Sequence, residues 1–215
     1  MKLWLFAHRC PLCDRRAGAY LCAGCASAIE YCRHPQPVII CASMRVHPWG
    51  AYAGALRRAL EMLKYDQMPQ LGDWLGEQLG RWWLVEQKPL HGFQVVAVPL
   101  HSDRQAQRGY NQAERIARAF CRRTGLPYRP HGLRRILATP ALHGLDPERR
   151  ARELEHAFAV DSVAAGRPIL LVDDICTTGS TLARCAAALR KAGSGAVEAV
   201  VVARPVLNRK PRADA

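Results

Sequence analysis

Two adjacent carboxylates and four hydroxyls crowd the segment ILLVDDICTTGSTL, residues 169–182. Asp173 and Asp174 close an apolar run that reads as a buried strand, and a helix-like run follows after one short turn. Between a strand end and a helix start, about four backbone N–H groups lack intrahelical partners, and the helix dipole favours an anion there. Thr177, Thr178, Ser180 and Thr181 add hydroxyl donors, and Gly179 lets the backbone come close. That donor set suits a phosphate monoester. The two acids just before it are acceptors placed for the 2′- and 3′-hydroxyls of a ribose whose 5′-phosphate sits in the turn. The segment is shaped for a ribose 5-phosphate. Ordinary strand-end solvation is the plain alternative for the acid pair. An aspartyl-phosphate receiver is another, but it wants further acids and a Lys on other strands, which AVPLHSD supplies poorly.

The elements around this segment follow from periodicity. Leu56, Leu60 and Leu63 form one helical stripe, and Leu71, Trp74, Leu75, Leu79 and Trp82 another, with the Trp residues read as core rather than as base-stacking platforms. FQVVAVPL, residues 93–100, is the continuous apolar run of a strand covered on both faces. The loop HSDRQAQRG follows it, and then a helix from about Tyr110 to Arg123. Asp146, Pro147 and Glu148 have the composition of another helix start. RPILLVDD is the next strand, 181–192 the next helix and AVEAVVVA the last strand. Strands alternating with helices predict an α/β fold, a mainly parallel sheet flanked by helices. In such sheets ligands bind beyond the carboxyl ends of the strands, where both VPLHSDRQAQRG and VDDICTTGST fall. His101 and His143 read as solvent-facing loop residues.

Cysteine placement marks a separate N-terminal unit. Of the 9 cysteines, Cys10, Cys13, Cys22, Cys25, Cys32 and Cys41 precede residue 42. The first four form two C-x-x-C pairs, each able to present two thiolates from a tight knuckle, and four such ligands complete a tetrahedral structural zinc site. Two disulfides are the alternative, which a reducing compartment disfavours. Cys32, His34 and Cys41 offer at most three further ligands and read as buried thiols rather than a second site. Pro35 and Pro37 interrupt regular structure, so a linker is expected over 33–46. The expected division is a cysteine-rich zinc-binding module over 1–44 and an α/β domain over 45–215.

The 215 residues carry 31 Lys+Arg against 18 Asp+Glu, a net charge of +13, which favours polyanionic partners or phosphorylated ligands without selecting among them. Helix-turn-helix and aromatic ribonucleoprotein signatures are missing from the sequence, so sequence-specific nucleic-acid reading has no support. With no run of about 18 apolar residues and a poor signal-peptide N-terminus, a cytoplasmic protein without membrane insertion is expected.

Beyond its chemistry, LLVDDICTTGSTL resembles the phosphoribosyl pyrophosphate (PRPP) signature of type I phosphoribosyltransferases. VPLHSDRQAQRGYNQAERIARAF is similar to a signature of the ComF family of competence-associated, GntX-like proteins, which also begin with a four-cysteine zinc module. The resemblance implies a type I phosphoribosyltransferase-like domain over 45–215. It gives Asp173 and Asp174 to the ribose hydroxyls, the turn Thr177, Thr178, Gly179, Ser180 and Thr181 to the 5′-phosphate, and Arg104 and Arg108 to the pyrophosphate. Mg²⁺ would arrive with PRPP, and the structural metal would be Zn²⁺ on Cys10, Cys13, Cys22 and Cys25. Tyr110, Asn111 and Gln112 match the family's G-F/Y-N-Q run, with no role evident beyond starting a helix. The sequence departs from the family pattern in the second half of the cysteine module, where Cys32 and Cys41 form no complete C-x-x-C pair, and in Leu142, which stands where a Gln is usual.

Two functions fit. One is transfer of a 5-phosphoribosyl group from PRPP to an unidentified acceptor, with Asp173, Asp174, Arg104 and Arg108 acting on the substrate. The other is a non-catalytic module of DNA uptake that keeps the fold and binds single-stranded DNA or competence-machinery proteins.

Overall fold

Runs of Val, Ile, Leu and Ala with no polar face build the middle of a five-stranded sheet. The computed structural model describes residues 8–41, 43–86, 92–100, 102–136, 157–161, 163 and 165–206. The sheet runs in the order β3 (Ile39–Cys41), β4 (Met44–Ala51), β9 (Val197–Arg204), β8 (Ile169–Ile175), β5 (Gln94–Ala97). Only the β3–β4 hairpin is antiparallel; β4–β9, β9–β8 and β8–β5 are parallel. Ile169 to Val172 and Ala199 to Ala203 are buried throughout, as expected of strands covered on both faces. The mainly parallel, helix-flanked sheet read from the sequence is the one observed.

Six helices accompany it among the described residues: α1 (Ala23–Glu30), α2 (Gly54–Tyr65), α3 (Pro69–Glu86), α4 (Ser102–Arg108), α5 (Gln112–Thr124) and α6 (Ser180–Lys191). Asn111 caps α5, its side chain accepting from Ala113 N at 3.0 Å, and Gly125 ends it at φ +75°. α3 and α5 pack closely because α3 presents Gly72, Gly76 and Gly80 to α5. A Cβ on Gly76 would lie 2.3 Å from the Ile116 carbonyl oxygen and 2.7 Å from Ala119 Cβ. Trp82 and Trp83 are core, Trp83 meeting Phe120 edge-on at 5.8 Å and His47 at 5.2 Å.

Three expectations differ from the structure. The linker placed at 33–46 contains β3 and the start of β4, which join the main sheet. The helical spacing that runs from WGAYAGALRRALEMLKYD onward describes a helix only from Gly54, because β4 continues to Ala51 before α2 begins. Finally, the loop after β5 contains α4, a seven-residue helix stopped by Gly109 at φ +76°. His101, Leu142, His143 and the helix start at Asp146, Pro147 and Glu148 lie outside the described residues.

The cysteine-rich segment folds as two short pieces. β1 (His8–Arg9) pairs with β2 (Arg16–Ala17), and Cys13 N and Asp14 N both bond to the Cys10 carbonyl, closing the first knuckle at 3.3 and 2.8 Å. Asp14 takes φ +59°, a left-handed position Asp tolerates. Cys22 caps α1, its sulfur accepting from Cys25 N at 3.4 Å. No helix of the described residues is long and apolar enough to cross a membrane.

Candidate ribose-phosphate site

β5 and β8 are adjacent and in parallel register, Ala97 opposite Val172. Their carboxyl ends therefore open on the same edge of the sheet. The loop and α4 that follow β5 face the turn that follows β8 across a cavity of about 240 Å³, lined by Asp173, Asp174, Thr181, Arg104 and Arg108 among others. The four side chains expected to act on a substrate thus meet in one place. A recess of about 30 Å³ lies inside the turn itself, bounded by Thr177, Thr178, Gly179, Ser180 and Thr181.

The turn has the geometry its sequence suggests. Gly179 is the N-cap of α6, at φ +78°, and offers no side-chain acceptor to the first-turn amides. Apart from Ser180 N, those N–H groups have no capping side chain and can face an anion. Thr178 Oγ1 donates to Ser180 Oγ at 3.2 Å and accepts from Ser180 N at 3.4 Å, and both side chains are exposed at the turn. Beneath the turn Cys41 comes up from β3, its thiol donating to the Thr178 carbonyl at 3.4 Å. A Cβ on Gly179 would sit 2.2 Å from Cys41 Sγ, so both conformation and space demand glycine.

The acid pair is strongly conditioned. Desolvation on the cavity floor, and then the charge of Asp174, push the Asp173 carboxyl well above the usual carboxylate range. The Asp174 backbone N–H, which donates to Asp173 Oδ1 at 2.8 Å, and the Lys64 ammonium act the other way. Lys64 reaches in from the end of α2 and pairs with Asp174 at 3.1 Å.

Sequence reasoning missed Lys64, Tyr65 and Arg135, which also line the cavity. Lys64 and Tyr65 end an amphipathic helix whose pattern reports only its buried stripe, and Arg135 belongs to the two-residue strand β6 (Arg134–Arg135), paired with β7 (Phe158–Ala159). Arg108 lies over the Tyr65 ring at 5.3 Å and donates to Gln112 Oε1 at 3.1 Å. The Tyr110–Gln112 run now has contacts. Tyr110 O–H donates to the Leu63 carbonyl, and Asn111 Nδ2 donates to the Val98 carbonyl at 3.0 Å. Together they tie the loop after β5 and the start of α5 to α2.

Residues 148–214 match the family model described as "Phosphoribosyl transferase domain". The chain is similar to "DNA utilization protein YhgH" of Escherichia coli, 29% identical over 206 residues that cover 88% of this chain and 87% of that protein. It is 31% identical to "Competence protein ComFC" of Streptococcus pneumoniae over 71% of this chain and 65% of that one. To "Competence protein F" of Haemophilus influenzae it is 34% identical over 51% and 49%. These likenesses support the resemblance to the ComF family read from the sequence.

Among solved structures, the chain is similar to the glutamine phosphoribosylpyrophosphate amidotransferase of B. subtilis, with TM-score 0.43 and 18% identity, over 60% of this chain and 25% of that one. It is also similar to the adenine phosphoribosyltransferase of Thermoanaerobacter pseudethanolicus, with TM-score 0.37 and 14% identity, over 66% and 83%. Neither likeness bears on which residues act.

The expected metal site of the N-terminal cysteines can be tested on its own geometry. The sulfurs of Cys10, Cys13, Cys22 and Cys25 all lie within 4.8 Å of one another, and Cys13 and Cys22 Sγ are 3.5 Å apart. A tetrahedral zinc with bonds near 2.3 Å needs sulfurs separated by about 3.8 Å, so these four fit a metal. The Cys10 thiol is opposed by burial, but backbone N–H groups bring it down to about 7. Burial, then hydrogen bonds to the neighbouring thiols, push Cys25 up. Four sulfurs this close hold few negative charges without a cation among them. Among the described residues Cys32 and Cys41 join no such group, and Cys32, expected to be buried, is only half-buried. Cys32 Sγ bonds to the Ala28 and Ala53 carbonyls at 3.4 and 3.5 Å, while Cys41 lies buried under the turn.

Proposed function

We propose that this cavity binds PRPP and that the protein is a phosphoribosyltransferase of type I architecture, moving a 5-phosphoribosyl group to an acceptor. The carrying observation is that Asp173, Asp174 and Thr181 from the β8 side share one cavity with Arg104 and Arg108 from the β5 side. In this reading the 5′-phosphate sits in the turn from Thr177 to Thr181, the ribose diol bonds to Asp173 and Asp174, and the C1 diphosphate faces the guanidinium groups.

Transfer breaks the bond between C1 and the diphosphate oxygen and forms one from C1 to the acceptor, through a ring with oxocarbenium character. Such chemistry depends on orientation and charge more than on a strong base. Arg104 and Arg108 stabilise the leaving diphosphate, for which guanidinium forks suit the oxygens. Asp173 and Asp174 orient the ribose and support positive charge on the ring. Mg²⁺ carried in on the diphosphate would add charge neutralisation beside Arg104 and Arg108. Zn²⁺ on Cys10, Cys13, Cys22 and Cys25 is structural, holding a segment too short to bury a core of its own. The two-part division at residue 44 belongs to this proposal, the module reaching the main sheet through β3.

Calorimetric titration with PRPP and Mg²⁺, with Asp174→Asn as control, tests the site; equal affinity in the two proteins removes the acid pair from it. Pyrophosphate release over a panel of bases and amines tests catalysis. The names of the relatives favour a second reading, a role in DNA uptake or use through binding of single strands, to which the net charge of +13 is suited. Salt-sensitive binding of single-stranded DNA without turnover supports that reading alone.

A further inference from the structure

The start of α5 forms another wall of the cavity, through Asn111, Gln112 and Ala113. Gln112 is 2% exposed. Arg108 Nη1 donates to its Oε1 at 3.1 Å, and a guanidinium can only donate. That contact fixes which end of the amide is oxygen. Nε2, with two N–H donors, then has no hydrogen-bond partner among the described residues and is buried. Backbone and side-chain donors inside proteins are nearly always paired, so this amide calls for an explanation.

We propose that Gln112 contacts the ligand, its Nε2 donating to a phosphoryl oxygen of the diphosphate carried on the ribose. The inference rests on the reading of the cavity as a PRPP site and deepens it. Only an acceptor satisfies Nε2, and the cavity around it holds Lys64, Arg104, Arg108 and Arg135. An acceptor in that company is an anionic oxygen. PRPP has two anionic groups, and the 5′-phosphate is accommodated by the separate recess inside the turn at 177–181. The diphosphate is left for the α5 wall, where a thirteen-residue helix points its positive end at the cavity and Asn111 already caps Ala113 N. Asp173 and Asp174 line the same cavity, and the ribose that joins the two anions supplies the diol they accept from.

The full chain is titrated calorimetrically with magnesium pyrophosphate and, separately, with ribose 5-phosphate. Gln112→Glu keeps an acceptor for Arg108 and removes the donor; Gln112→Leu removes both. The wild type binds both probes. Each variant is expected to weaken pyrophosphate at least tenfold and to hold ribose 5-phosphate within twofold, with circular dichroism reporting that it is folded. Unchanged pyrophosphate affinity, or an equal loss for both probes, overturns the inference. A loss with Leu but not with Glu also overturns it, because the effect then runs through the position of Arg108. A wild type that binds neither probe sinks the PRPP reading itself, a different result from variants that fail to discriminate.

Discussion

Lys64 Nζ lies 3.1 Å from Asp174 Oδ2, with both side chains largely covered. One charge comes from the end of α2 and the other from the end of β8, so α2 helps to hold the acid pair. A charge-assisted hydrogen bond at such a site is worth about 1.5–3 kcal/mol. Lys64→Met is expected to weaken PRPP by about tenfold or more, read by calorimetry at fixed salt. An affinity equal to wild type would separate α2 from the site.

Asp173 makes stability depend on pH with a definite sign. Its folded-state pKa is raised by desolvation and then by Asp174, so the folded protein holds this proton more tightly than the unfolded chain. Its contribution is fully present below the usual carboxylate range near 4 and is lost as pH rises through the folded value. Asp173→Asn removes this loss. The variant is expected to melt a few degrees above wild type at neutral pH, with the difference shrinking in acid, while ribose 5-phosphate binding falls. A variant that melts below wild type at every pH contradicts the assignment.

Gly179 meets two constraints, a φ of +78° and a Cys41 sulfur 2.2 Å from any added Cβ. Gly179→Ala should cost about 1–3 kcal/mol through backbone strain and overpacking and abolish ribose 5-phosphate binding. Adding Cys41→Ala opens the space but leaves φ unchanged. Thermal melts of the single and double variants should therefore show partial recovery of stability, and full recovery would assign the whole effect to the sulfur.

Gly76 and Gly24 give opposite outcomes for one substitution. A Cβ on Gly76 meets the Ile116 carbonyl at 2.3 Å, whereas nothing lies within 4 Å of one on Gly24 in α1. Denaturant melts should place Gly76→Ala about 1–3 kcal/mol below wild type and Gly24→Ala at or slightly above it. The reverse order is incompatible with the packing of α3 on α5.

The four-thiol site should carry one zinc per chain, measured by elemental analysis. Chelation, or Cys13→Ser, is expected to lower the melting temperature and expose residues 8–41 to protease, with the ribose-phosphate cavity less affected. Protein that purifies without metal and loses no stability to chelators would make the cysteine cluster a set of buried thiols. Any metal removed should restore the melt when returned as zinc alone.

Much of this protein is local and therefore legible in its sequence. The buried runs of β5, β8 and β9 follow from apolar residues with no polar face, and the order acid, acid, hydroxyls, glycine determines what the turn before α6 can hold. The paired C-x-x-C spacing determines that four thiols can converge, because each knuckle folds on its own backbone. What is long-range had to come from the tertiary structure. Lys64 and Arg135 lie far from Asp174 along the chain, and no periodicity reports where a helix end or a two-residue strand will point. The joining of β3 and β4 to the main sheet, the thiol of Cys41 under Gly179, and the buried amide of Gln112 beside Arg108 all depend on register and packing between distant segments. Residue order names the chemistry available at the sheet edge; only the docking of α2, α4 and α5 around β8 decides which charges share the cavity.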